Sequence, residues 1–194
     1  MKKFLIAVLL AMASTSSSAF EIFALGTSNT NCKGVDRSKI FTVHLEELLR
    51  ADGYAVNVIN GGVDGDKPGW MINRLASAKL ENTRLVIFEP GANDTNKTSN
   101  IEALEKILSQ LQDRKMPTVY VSIGLIQNFK EANETARKYG AYYYGSWIKD
   151  IPADKEHRQF DKKQGGHLTA KGCQLWAKNM FPLVKQILVE KNIK

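Results

Sequence analysis

Cysteine occurs only twice in this chain of 194 residues and histidine only three times. Metal-binding modules set such ligands in close pairs, so no zinc site is expected, and two cysteines cannot form the framework of a coreless disulfide scaffold. Long hydrophobic runs are absent beyond the first dozen residues, and none approaches the roughly 20 apolar residues of a membrane-spanning helix. Internal repeats, linkers and low-complexity tracts are missing as well. So are the Gly-x-Ser-x-Gly elbow, the Gly-Lys-Ser/Thr phosphate loop and the Gly-x-Gly-x-x-Gly dinucleotide fingerprint. No cofactor is implied.

The remaining composition is ordinary for a globular domain, with 43% hydrophobic and 24% charged residues. It excludes a disordered or collagen-like chain. The length suits one domain with one sizeable core. Basic residues are in excess but scattered. Their densest group, Lys155, His157, Arg158, Lys162 and Lys163, has none of the interleaved aromatics of a nucleic-acid platform, so it reads as a solvated loop and no nucleic-acid partner is expected.

Residues 1–19 read as a bacterial-type signal peptide: Lys2 and Lys3, a short apolar run from Phe4 to Met12, then small residues ending Ser17-Ser18-Ala19. The mature chain then spans residues 20–194 as a single domain, and loss of the two lysines lowers the formal charge from +7 to +5. Export to the periplasm or beyond follows, without stable membrane insertion of the mature chain.

Short runs rich in β-branched and aromatic residues recur along the mature chain. Glu21–Leu25, Tyr54–Ile59, Arg84–Phe88, Thr118–Ile123 and Ala141–Trp147 read as strands. Between them lie helical stripes: Phe41, Leu45, Leu48 and Leu49; a helix beginning near Pro68; Ile101, Leu104, Leu108 and Leu111; and Lys130 to Lys138. From Thr169 a long last helix follows, which Pro182 is expected to kink or divide. This alternation predicts a three-layer α/β sandwich around a parallel sheet of about five strands, with ligands at the carboxyl ends of the strands.

Polar, glycine-bearing turns follow the first three strands: Gly26-Thr27-Ser28-Asn29-Thr30, Asn60-Gly61-Gly62-Val63-Asp64-Gly65-Asp66 and Pro90-Gly91-Ala92-Asn93-Asp94. Gly165-Gly166-His167-Leu168-Thr169 precedes the last helix. Taken singly, Gly-Gly is a turn device, and Asn93 or His167 suits a helix cap. In order and at one edge of a sheet, they could form a site.

In these blocks the chain resembles the SGNH, or GDSL, hydrolase superfamily, from about Phe23 to Trp176. Ala24 to Ser28 resembles its first block, Val63 to Asp66 its second, Gly91 to Asp94 its third and His167-Leu168-Thr169 its histidine block. The resemblance implies a flavodoxin-like SGNH fold, Ser28 as nucleophile, His167 as general base, and an oxyanion hole made by the amides of Ser28 and Gly65 with the Asn93 side chain. It also admits carboxylic esters, thioesters, lysophospholipids and acetylated sugars, so the partner is a small-molecule, lipid or glycan ester. These residue types suit the chemistry, because a serine hydroxyl needs a neutral imidazole to take its proton and the developing oxyanion needs donors fixed in advance.

Two positions depart from the family. Thr27 stands where aspartate is usual between the glycine and the serine, and Gln164 stands where aspartate usually precedes the histidine by three residues. The imidazole could then be oriented by a neutral acceptor such as the Gln164 amide or a backbone carbonyl, or by Asp161. These departures also leave open a non-catalytic exported module that binds a glycan or peptide in the same cleft. If Ser28 and His167 meet, Cys32 and Cys173 lie on neighbouring segments, where they are either a disulfide or two buried thiols.

Overall fold

The computed structural model describes residues 19–160 and 166–194. The expected leader lies outside the described residues except for Ala19.

Five parallel strands form one sheet: β1 (Phe20–Gly26), β2 (Val56–Gly62), β3 (Thr83–Phe88), β4 (Thr118–Ser122) and β5 (Tyr142–Ser146), in the order β2-β1-β3-β4-β5. The helices are α1 (Phe41–Ala51), α2 (Pro68–Ser77), α3 (Lys97–Asp113), α4 (Phe129–Lys138) and α5 (Ala170–Glu190). The chain is a three-layer α/β sandwich, as the alternation predicts. Because side chains alternate along a strand, Leu85 and Ile87 pack with α1 and α5, whereas Val86 and Phe88 pack with α2, α3 and α4. Both faces of the sheet are thus covered, and every residue of β4 is buried.

The α1–α5 pairing carries much of the first face. Phe41 and Trp176 are wholly buried and stack with centroids 4.2 Å apart. At roughly 150–250 Å² of buried surface per aromatic ring, this contact anchors the start of α1 against α5, alongside Leu45, Leu49, Ala177 and Met180.

Two expectations change. The second strand begins later and extends through Gly61 and Gly62, which pair in register with Leu25 and Gly26. Neither position has room for a side chain: a Cβ on Gly61 would stand 2.5 Å from the Phe23 ring, and one on Gly62 2.4 Å from the Asn31 amide nitrogen in the loop after β1. The last helix runs undivided through Pro182. Proline removes only the bond to the carbonyl of Lys178, an exposed residue, while Trp176, Met180, Val184 and Ile187 anchor both halves in the core.

The order of the strands reverses direction between β1 and β3. That switch point opens a crevice at their carboxyl ends, where the loops bearing Ser28 and Asn93 emerge.

Candidate active site

Ser28 sits two residues beyond β1, in a loop of successive turns. Thr27 O accepts from the Asn31 amide at 2.9 Å, Ser28 O from the Lys33 amide at 3.0 Å and Asn29 O from the Cys32 amide at 3.0 Å. The glycines around this loop admit it. A Cβ on Gly26 would stand 2.0 Å from Thr30 Oγ1, and one on Gly91, whose φ of 69° already favours glycine, would stand 2.1 Å from Thr27 Cγ2.

Beneath the loop lies Glu89, fully buried at the end of β3. Its Oε2 accepts from the Thr27 amide at 3.0 Å, Thr27 Oγ1 at 2.9 Å and Thr30 Oγ1 at 3.1 Å; its Oε1 accepts from Asn29 Nδ2 at 3.3 Å. Four donors from three residues flanking Ser28 converge on one carboxyl. This accounts for Thr27: its hydroxyl donates where an ionised aspartate could not. Burial pushes the Glu89 carboxyl above its ordinary range, opposed by the bonds from Thr27, Asn29 and Thr30. The two threonine hydroxyls can rotate to accept, so the protonated form also finds a partner.

A raised carboxyl pKa means that the folded state binds this proton more tightly than the unfolded chain does. The Glu89 contribution is therefore most favourable at acid pH and declines as pH rises above the ordinary 4.5 toward the folded-state value. Thermal unfolding of wild type and Glu89→Gln across pH is expected to show the wild type losing stability relative to the variant over that interval. A difference that is flat, or that grows with pH, contradicts it.

His167 precedes α5, and its Nε2 lies 2.8 Å from Ser28 Oγ. The capping role open to His167 is filled by Thr169, whose side chain accepts from the Gly172 amide, and the one open to Asn93 is filled by Asn96, which accepts from the Ser99 amide. The segment bearing His167 is pinned by an antiparallel bridge between Arg158 and Leu168. Gln159 reinforces it, donating its amide to His167 O at 2.6 Å and its Nε2 to Leu168 O at 2.6 Å and to Lys33 O at 2.9 Å. The last bond reaches the loop that carries Ser28. Asp161 and Gln164 lie outside the described residues.

The basic cluster around His157 is not simply a solvated loop. His157 is buried, its Nδ1 lies 2.8 Å from Asp154 Oδ1, and its carbonyl accepts from the Thr169 amide at 3.0 Å. Asp154-x-x-His157 thus has the spacing of an acid–histidine motif but serves the start of α5. His44 is the other histidine, half-buried on α1 and 3.1 Å from Glu47 Oε2.

Gly65 lies in the β2–α2 loop with a φ of 76°. A Cβ there would meet nothing within 4 Å, so its backbone conformation, not crowding, calls for glycine. Asn93 is exposed on the β3–α3 loop, and its Nδ2 donates to Asp66 O at 2.8 Å. That bond joins the loops of the two residues; the second Nδ2 hydrogen is available for another acceptor. Ser28, Asn29, Asn93 and His167 form the polar wall of a cleft of about 230 Å³, faced by Ile123, Leu125 and Trp147.

Cys32 and Cys173 form a disulfide with Cα atoms 6.5 Å apart. Among the described residues no group of histidine, cysteine, aspartate and glutamate is placed to hold a metal ion.

No family model and no curated protein matches the sequence. Solved structures do match. TesA superposes with a TM-score of 0.77 at 20% identity, covering 87% of this chain and 99% of its own. The psychrotrophic esterase EstA from a Pseudoalteromonas species gives 0.73 at 18% identity, covering 87% and 98%. AlinE4, an SGNH-hydrolase family esterase, gives 0.63 at 24% identity, covering 89% and 98%. The fold of this chain is the SGNH-hydrolase fold.

Glu89 escapes a reading of the sequence, although one signal exists: an acid closes the otherwise apolar run Leu85–Phe88 just before Pro90-Gly91. Arg74 escapes it too, and Asp66 stands in the second block with no role assigned to it.

Proposed function

We propose that this chain is an exported serine esterase of the SGNH type. The observation that carries the reading is the 2.8 Å approach of His167 Nε2 to Ser28 Oγ beside a cleft at the carboxyl edge of the sheet. As Ser28 Oγ attacks the acyl carbon, its proton passes to the imidazole, and the carbonyl oxygen takes up negative charge facing the amides of Ser28 and Gly65 and the Asn93 amide group. Collapse expels the alcohol or thiol, which receives the proton from His167. Water then repeats the sequence and releases the acid.

The cleft favours short or exposed acyl groups. About 230 Å³ lies below the roughly 300 Å³ at which pockets for drug-sized ligands begin, and Ile123, Leu125 and Trp147 offer an apolar wall. Export is supported by the pattern of residues 1–19 and by the disulfide, a bond of oxidising compartments. No described helix is long and apolar enough to cross a membrane.

The binding-module reading loses one of its two supports, since Thr27 has a role in holding Glu89 that is compatible with catalysis. A fluorophosphonate, which reacts only with an activated serine, separates the two. The wild type is expected to be labelled and Ser28→Ala not; an unlabelled wild type that also leaves p-nitrophenyl esters and acetylated sugars intact overturns the esterase reading. In the same assay Asp161→Asn is expected to change the rate little, with a neutral acceptor orienting His167. A large loss at unchanged stability assigns the orienting role to Asp161.

A further inference from the structure

We infer that Arg74, on the last turn of α2, is a positioning residue that sets the oxyanion loop against the nucleophile loop; this rests on the esterase reading. The guanidinium holds three segments at once. Its Nε donates to Asp66 Oδ2 at 2.7 Å and its Nη2 approaches the same oxygen at 2.5 Å; Nη1 donates to Gly61 O at 2.6 Å and Nη2 to Gly26 O at 3.0 Å. Gly26 is the last residue of β1, two before Ser28. Gly61 lies near the end of β2, and Asp66 immediately follows Gly65.

Asp66 relays the position further. Its buried carboxylate also accepts from the Lys67 amide at 3.0 Å, and its carbonyl accepts from Asn93 Nδ2 at 2.8 Å. All three groups assigned to the oxyanion hole are therefore referenced to one side chain: Ser28 through the end of β1, Gly65 through the carboxylate beside it, and Asn93 through the carbonyl of that same residue. Only a planar fork can meet two main-chain carbonyls and a carboxylate in fixed directions; an ammonium cannot reproduce the arrangement.

Oxyanion donors act within a narrow range of distance, and a misplacement of about 1 Å can cost about a hundredfold in rate. Loss of Arg74 lets the β2–α2 loop, and Asn93 with it, shift relative to Ser28 while leaving the His167 supports and the apolar wall of Ile123, Leu125 and Trp147 in place. The effect is expected in kcat rather than in KM.

The test uses purified protein with active sites counted by exhaustive fluorophosphonate labelling, so that misfolded molecules drop out of the rate. Arg74→Gln is expected to lower kcat per labelled site for a p-nitrophenyl ester by about 10- to 100-fold with KM within about twofold, and Arg74→Lys to fall between it and wild type. Added guanidinium is expected to restore part of the rate to Arg74→Ala. The preference for an ester over the matching thionoester, whose sulfur makes poor use of the hole, is expected to shrink in the variants. Per-site rates within twofold of wild type in both Arg74→Gln and Arg74→Lys overturn the inference, as do equal losses on the two substrates. A wild type inert to substrate and label overturns the esterase reading and this inference together; an active wild type with unaffected variants overturns only the inference.

Discussion

Alanine in place of Ser28 is expected to lower kcat/KM for a small aryl ester by about 10⁴- to 10⁶-fold, with His167→Ala close behind and the double variant scarcely worse than either. In the proposed mechanism the two side chains act as one unit. Without the imidazole the hydroxyl retains its proton during attack, and without the hydroxyl the imidazole has nothing to activate. Residual rate would come from the oxyanion donors and from substrate binding. Folding should persist, because Ser28 is small and His167 lies outside the two buried apolar clusters. Circular dichroism and thermal unfolding check that point, and hydrolysis by Ser28→Ala at the wild-type rate removes the catalytic assignment.

The second large effect concerns stability. Cys32 and Cys173 are 141 residues apart in sequence, and closing a loop of that length stabilises by about 5 kcal/mol in the chain-entropy model. Cys32→Ala/Cys173→Ala is therefore expected to unfold about 5 kcal/mol more easily and to melt about 10 to 20 °C lower, given about 2–4 °C per kcal/mol for a domain of this size. Both cysteines are within 1% of complete burial, so a mild reductant should leave the folded protein unchanged yet lower its denaturation midpoint once the chain opens. Titration of unreduced, denatured protein should find no free thiol. Two free thiols per chain would refute the bridge, and a melting point unchanged in the double variant would refute its contribution.

Much of the fold and of the candidate site is legible in the sequence, for identifiable reasons. A parallel sheet buried on both faces demands continuous apolar runs, so Arg84–Phe88 and Thr118–Ile123 stood out within a residue of β3 and β4. Turns at the carboxyl ends carry their chemistry in contiguous blocks, which is why Ser28 and Asn93 could be singled out with His167. Gly61 and Gly62 read as a turn because glycine signals one locally, whereas what excludes a side chain at each is a distant residue, Phe23 for Gly61 and Asn31 for Gly62. Glu89 and Arg74 were hidden for the same reason: what each does is set by partners on other elements. A lone acid or base in a sequence does not disclose that four donors, or three acceptors, will be folded around it.

The bridge between Arg158 and Leu168 separates two properties that a motif treats as one. His167 is held from below by main-chain and Gln159 bonds whose partners all lie outside the interval 161–165. The acid usual in the family belongs to that interval, so its replacement by Gln164 does not touch those supports. On the proposed mechanism, a change in that interval alters what faces the imidazole while these main-chain supports of its segment remain. For an engineer, the interval is a place to vary charge: loops carrying an acid at different registers can be exchanged into it while the Arg158–Leu168 bridge and the Gln159 bonds stay in place.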